Sequence, residues 1–173
     1  MSDEHLVLVG LMGAGKTSVG EVCAARLDRP FVDTDDLVET TAGMTIADVF
    51  AYYGEDRFRA LEREAVTDAC ASPVPAVIAC GGGAVLHADN RRGLKSAGMV
   101  VWLQAPPEVL AERVGRGPAR AERPLLADGP ASTLERLAVV RADAYAAVAD
   151  AHIDTAGLTV SDVADAVLEV YRS

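Results

Sequence analysis

The sequence predicts a three-layer α/β domain built on a mostly parallel sheet. Two observations carry this prediction. Short apolar runs alternate with longer stretches of helical periodicity, the order produced when parallel strands are joined by crossover helices. The apolar runs are also near-continuous rather than alternating, which suits strands covered on both faces. A length of 173 residues accommodates one such domain with one full core.

The elements follow in order. Leu6–Val9 is an apolar strand bounded by Gly10, and Val19, Val22, Cys23 and Leu27 then recur at helical spacing. Phe31–Val32 is a second strand ending at Asp33. Thr45 with Asp48 reads as a capping box, and Phe58, Leu61 and Ala65 mark the buried side of the helix that follows. Ala76–Cys80 is a third strand running into Gly81-Gly82-Gly83. Val100–Leu103 is a fourth, ending near Pro106-Pro107. Ser132 with Glu135 reads as a second capping box, opening a helix whose apolar stripe runs Leu134, Leu137, Tyr145, Val148. His152–Asp154 is the fifth and shortest strand. Val163, Val167, Val170 and Tyr171 place a helix at the end of the sequence. Two stretches read as irregular, Ala42–Gly43 and Gly115–Gly129. Arg113, Arg116, Arg120 and Arg123 crowd into or beside the second, and a loop of that length in a compact domain is usually functional or disordered.

Composition narrows the function. The net charge of −10 disfavours binding to nucleic acid or anionic membrane through the overall field. No apolar run approaches the ~18 residues that span a bilayer, and the start, MSDEHLVLVG, lacks a basic n-region. The expectation is a cytoplasmic protein with no nucleic-acid or membrane partner. No obvious exposed apolar helix is apparent, so a monomer is expected. Cys23, Cys70 and Cys80 sit far apart in apolar stretches and read as buried free thiols. His5, His87 and His152 show no metal-ligand spacing.

Gly10-Leu-Met-Gly-Ala-Gly-Lys16-Thr17 fits the phosphate-binding P-loop, with the required strand before it and helix after it. Such a loop must converge backbone N–H groups on phosphate oxygens, so glycines take conformations closed to other residues. The next helix begins at the loop, and its free N–H groups favour anions. Gly13, Ala14, Gly15, Lys16, Thr17 and Ser18 are therefore the expected nucleotide-binding set, with Lys16 reaching the β- and γ-phosphates and the Thr17 hydroxyl ligating Mg²⁺. A switch GTPase, an ATP-driven motor and a small-molecule kinase could each own this loop. The chain has no Asn-Lys-x-Asp guanine motif. Its one Asp-x-x-Gly, Asp154 to Gly157, falls too late for a γ-phosphate switch.

Three features suggest where an acceptor would bind. Arg141 lies in the inward stripe of its helix, where a guanidinium needs an anionic partner or a stem long enough to reach solvent. Arg59 and Glu62 are three apart on one helix, either a surface pair or an arginine held in place for an anionic ligand. Gly81-Gly82-Gly83 ends an apolar strand, where open α/β sheets bind ligands, and it lets backbone approach one closely.

Taken together, GLMGAGKTSVG, VDTDD, TIADVFAYYGEDRFRALE, the strand into GGGAV, ERPLL and VVRADAY resemble the shikimate kinase family, from about Val7 to Asp154. The Gly-Lys-Thr loop is widespread; the combination is far more specific. The resemblance implies a P-loop kinase fold with a five-stranded parallel sheet, a substrate-binding segment over residues 34–62 and a lid over 113–128. It implies that ATP phosphorylates the 3-hydroxyl of shikimate. It assigns shikimate to Asp35, Arg59, Gly81, Gly82, Gly83 and Arg141, ATP to Lys16, Thr17, Arg113 and Arg123, and Mg²⁺ to Thr17 and Asp33. Asp35, Lys16 and Arg123 are the expected catalytic residues. Asp36 is expected to face solvent or start the next helix. Two departures stand out. The sequence after Asp154-Thr155 lacks the basic residue often found near adenine, and the strand before Gly81 lacks a terminal Walker B aspartate. A gluconate or nucleoside monophosphate kinase, and a nucleotide-dependent switch, remain the competing readings.

Overall fold

The computed structural model describes residues 4–116 and 129–173. Five strands form one sheet: β1 (His5–Val9), β2 (Phe31–Asp33), β3 (Val77–Ala79), β4 (Gly98–Gln104) and β5 (Ala151–Asp154). Their order is β2-β3-β1-β4-β5 and every pairing is parallel. Leu6, Val7, Leu8 and Val9 of the central strand are fully buried, as a parallel strand covered on both faces requires.

The helices are α1 (Lys16–Leu27), α2 (Thr34–Ala42), α3 (Ile46–Cys70), α4 (Ala88–Ala97), α5 (Pro107–Arg116), α6 (Pro130–Val148) and α7 (Val160–Arg172), with a 3₁₀ turn at Ala84–Leu86. Of the capping box expected at the α3 N-terminus, the Thr45 half forms, its side chain accepting from the Asp48 N–H at 3.1 Å. Gly54 interrupts α3 with φ 80°, a kink that only glycine takes without strain. The start of α6 differs from the expectation. Ser132 is not its cap: the helix begins at Pro130 after Gly129, because proline at the first helical position has its φ preset and needs no N–H partner. The expected irregular stretch Gly115–Gly129 also differs at its start, since α5 continues through Arg116, helped by an ion pair between Arg116 and Glu112. Residues 117–128, with Arg120 and Arg123, lie outside the described residues.

The main core fills both faces of the sheet. A second, smaller cluster of Val38, Val49, Phe58, Leu61 and Ala65 lies between α2 and α3. This segment, following β2, therefore has an apolar centre of its own. Cys23 and Cys80 are buried and Cys70 half-buried; all three are free thiols. No helix among the described residues is long and apolar enough to cross a membrane.

Candidate active site

All five strands point their carboxyl ends the same way, and the loops that leave them build one cleft edge. The P-loop follows β1, Asp33 closes β2, Gly81–Gly83 follow β3, and Thr155 follows β5.

The P-loop has the backbone its sequence demands. Gly10, Gly13 and Gly15 have φ of 148°, 83° and 94°. Gly10 also leaves no room for a side chain, since a Cβ there would collide with the Leu103 carbonyl oxygen. No side chain caps α1, so the amides of Lys16, Thr17 and Ser18 open its first turn without a capping partner. Lys16 Nζ donates to the Gly10 and Leu11 carbonyls at 2.8 and 3.0 Å, bent across the loop that would hold phosphate. Burial lowers its pKa to about 8, although Asp35 and Asp33 pull it back up. Thr17 Oγ1 donates to Asp33 Oδ2 at 2.9 Å, while Asp33 Oδ1 accepts the Asp35 N–H at 3.0 Å and so caps α2. Thr17 and Asp33 are thus a matched pair of hard oxygen donors beside the loop, a set that suits Mg²⁺. Among the described residues no cluster of three potential ligands surrounds them.

Arg113 does not stand free in the cleft. Its guanidinium donates to Thr155 Oγ1 and to the Thr155 carbonyl, both at 2.8 Å, and to the Gly13 carbonyl at 3.3 Å. It ties the P-loop to the end of β5. Thr155, buried at the same junction, donates its hydroxyl hydrogen bond to the Gln104 carbonyl at 3.0 Å.

The acceptor side is organised around Gly81–Gly83. None of the three adopts a positive φ; they are glycines because of space. A Cβ on Gly81 would lie 2.6 Å from Asp35 Oδ1 and 3.0 Å from Glu62 Oε2. One on Gly82 would lie 3.1 Å from Arg141 Nη1, and one on Gly83 2.9 Å from Arg59 Cζ. Each glycine therefore faces a different charged side chain. Arg59 donates to Glu62 Oε1 at 2.8 Å, and Glu62 is only 3% exposed. This is a buried carboxylate aiming an arginine rather than a surface pair. Burial nevertheless raises the Glu62 pKa, Arg59, Arg141 and Arg63 only partly offsetting the cost.

Arg141 is 2% exposed, so its stem does not carry the charge out to solvent. Its Nε is buried without a hydrogen-bond partner. A buried guanidinium with a spare donor is costly unless an anion completes it. Asp35 is the other unbalanced group. Burial, then Asp33 and Glu62, raise its carboxyl from an ordinary 3.8 to about 7, against the pull of Lys16. Asp36 is exposed in the first turn of α2, where an acid favours the helix dipole.

The structure thus brings together Lys16, Thr17, Asp33 and Asp35 on one side and Arg59, Gly81, Gly82, Gly83 and Arg141 on the other. Arg123 lies outside the described residues. Three buried hydroxyls escape sequence reasoning: Thr34, Tyr145 and Thr155. Thr34 Oγ1 accepts the Gly81 N–H at 2.9 Å and Tyr145 Oη donates to the Gly82 carbonyl at 2.5 Å. Tyr145 read as one more apolar member of its stripe. The usable signal was its hydroxyl, which needs a partner when buried.

The sequence matches the family model described as shikimate kinase over residues 12–172. A shikimate kinase from Symbiobacterium thermophilum is 49% identical over 166 residues, covering 95% of this chain and 94% of that protein. One from Thermoanaerobacter pseudethanolicus is 39% identical, covering 97% of this chain and 96% of its own. Among solved structures, shikimate kinase from Acinetobacter baumannii in complex with shikimate superposes with a TM-score of 0.91 at 37% identity, over 96% of this chain and 92% of that one. With a matching family model and relatives of this identity along nearly its whole length, the chain belongs to the shikimate kinase family.

Proposed function

We propose that this protein transfers the γ-phosphoryl group of ATP to the 3-hydroxyl of shikimate. The observation that carries the reading is the convergence of Asp35, Arg141 and Arg59 on successive glycines of one loop, next to Lys16 of a P-loop. Shikimate has one carboxylate and three hydroxyls. Arg141 and Arg59 supply planar donor forks for the carboxylate. Asp35 supplies an acceptor for hydroxyls. A carboxylate in that position repels a phosphorylated acceptor, which argues against a nucleoside monophosphate.

Lys16, the α1 N-terminus and the glycine-rich loop hold the ATP phosphates, and Arg113 borders the nucleotide by fixing Gly13 and Thr155. Thr17 and Asp33 would hold Mg²⁺, which would supply positive charge to offset that of the ATP phosphates. The acceptor oxygen forms the new O–P bond as the bond from γ-phosphorus to the β,γ-bridging oxygen breaks, releasing ADP. Asp35 takes the hydroxyl proton. A carboxyl near 7 is a better base at neutral pH than an ordinary aspartate. Because phosphoryl transfer has a loose transition state, positioning and charge stabilisation supply most of the acceleration. Residues 34–62 form the substrate-binding segment. The proposed lid spans residues 113–128, of which 113–116 end α5 and the rest lie outside the described residues; Arg123 there would contribute positive charge to the transferring group. The protein acts as a cytoplasmic monomer without nucleic-acid or membrane partners.

The test offers ATP·Mg²⁺ with shikimate, gluconate or AMP in parallel and follows ADP release. ADP should form with shikimate alone, and the product should carry phosphate on its 3-oxygen by NMR. Turnover of gluconate or AMP in place of shikimate would sink the reading. GTP hydrolysis without any acceptor would favour the switch.

A further inference from the structure

The Gly81–Gly83 loop presents a mechanical problem. It sets the distance between Asp35, Arg141 and Arg59, yet it has no side chains of its own and lies beyond the end of β3. Within the loop, only turn bonds from Ala84 N to Gly81 O and from Leu86 N to Gly83 O shape it. Its position relative to its surroundings is fixed by two buried hydroxyls from opposite sides. Thr34, 0% exposed at the start of α2, accepts from Gly81 N. Tyr145, 1% exposed on α6, donates to Gly82 O.

Tyr145 is itself held. Its ring stacks on Trp102 of β4 with centroids 5.3 Å apart and planes 26° apart. Trp102 pairs in register with Val9, the last residue of β1 before the P-loop. Arg141 is one helical turn before Tyr145 on the same buried stripe, and its Nη1 packs against Gly82. The Tyr145 hydroxyl therefore sets how far α6 stands from the loop, and with it where the Arg141 fork points.

We infer that Tyr145 is a positioning residue for the acceptor: its bond to the Gly82 carbonyl, braced by Trp102, fixes the gap between Arg141 and the glycine loop. The inference rests on the acceptor reading of this cleft. Tyr145 touches neither substrate nor reacting atoms, so its removal acts on acceptor geometry and leaves the phosphate side alone.

The test is Tyr145→Phe, which keeps the stacked ring and removes the hydroxyl, and with it both the bond to the Gly82 carbonyl and the direct interaction with Arg141. Its KM for shikimate should rise about tenfold, the effect of one lost buried hydrogen bond. Its KM for ATP should stay within about twofold, and its melting temperature within a few degrees. A packing role alone would lower the melting temperature and move both KM values together or neither. Unchanged KM for shikimate, or a parallel rise for ATP, overturns the inference. Should the variant fail to fold, the wild type provides the second measurement. Trp102 is the sole tryptophan, so its emission reports on the Tyr145 stack. Shikimate should shift that emission with a midpoint matching its KM, and ATP alone should not. A silent Trp102 under saturating shikimate overturns the coupling. Absence of shikimate-dependent ADP release by the wild type is a different failure, that of the acceptor reading itself.

Discussion

The two halves of the cleft are built by different physics. On the phosphate side the functional side chains are already paired. Lys16 is bonded to Gly10 and Leu11, Thr17 to Asp33, and Arg113 to Thr155 and Gly13. On the acceptor side, Arg141 has a buried Nε with no partner, and Asp35 carries a carboxyl pushed to about 7. The phosphate side depends on backbone conformation: its side chains are paired within the protein, and the uncapped amides at the start of α1 are what an anion would complete. The acceptor side depends on charged side chains brought within a few ångströms of one another, and a ligand with a carboxylate and hydroxyls would satisfy what the protein leaves over. A binding site can thus be recognised by what remains unpaired, as well as by what is conformationally unusual.

Asp35→Asn should break the acceptor side most severely. Loss of the proton acceptor should lower kcat about 10²–10⁴-fold in the ADP-release assay, with KM for ATP little changed. Near-normal turnover would remove Asp35 from the chemistry.

Two glycine substitutions sharpen the contrast. Gly10→Ala meets the Leu103 backbone at a φ of 148°, where nothing can give way, and should cost more than about 2 kcal/mol by denaturant unfolding. Gly83→Ala meets only the end of the Arg59 side chain, which can swing. Stability should hardly change, but KM for shikimate should rise about tenfold as Arg59 leaves Glu62. Equal stability losses would contradict the division between backbone and side-chain construction.

The pH dependence carries the same contrast. If Asp35 acts as the ionised base and Lys16 as the protonated phosphate partner, as proposed, kcat/KM for shikimate should fall on the acid side below about 7 and on the alkaline side above about 8. The linkage to stability runs against the usual carboxylate case. Asp35 ionises at 3.8 when unconstrained and at about 7 in the fold, so the native state holds the extra proton between those values. Its contribution to stability is present below pH 4 and is lost as pH rises through 7. Asp35→Asn should therefore melt about 2–6 °C above the wild type at pH 8 while losing activity. The smallest effect concerns metal. Thr17 and Asp33 alone make a sparse site, so equilibrium dialysis of the nucleotide-free protein should find only weak Mg²⁺ retention.

The legibility of the sequence follows the same division. The P-loop, the parallel strands and the Asp33 boundary were readable because their signals are local: spacing, β-branched runs and glycine placement. The inward stripe also placed Arg141 correctly. What the triple glycine faces was not readable, because Asp35, Arg141 and Arg59 arrive from three helices. Sequence spacing left Arg59 and Glu62 equally consistent with a surface pair, and only their burial decides between the two. The α6 cap was misread because Ser132 and Glu135 match a capping box locally, while Pro130 starts the helix two residues earlier. Thr34 and Tyr145 were hidden because one hydroxyl in a buried position looks, in sequence, like packing.

The most direct test titrates Arg141→Met separately with ATP·Mg²⁺ and with shikimate by calorimetry. The substitution keeps buried volume and removes a buried guanidinium whose Nε has no partner, and Glu62 keeps its bond to Arg59, so the fold should persist. ATP affinity should stay within about twofold of the wild type, while shikimate affinity falls at least tenfold. Loss of both affinities together, or shikimate binding that does not change, would contradict a cleft divided into a phosphate side built from backbone and an acceptor side built from charged side chains.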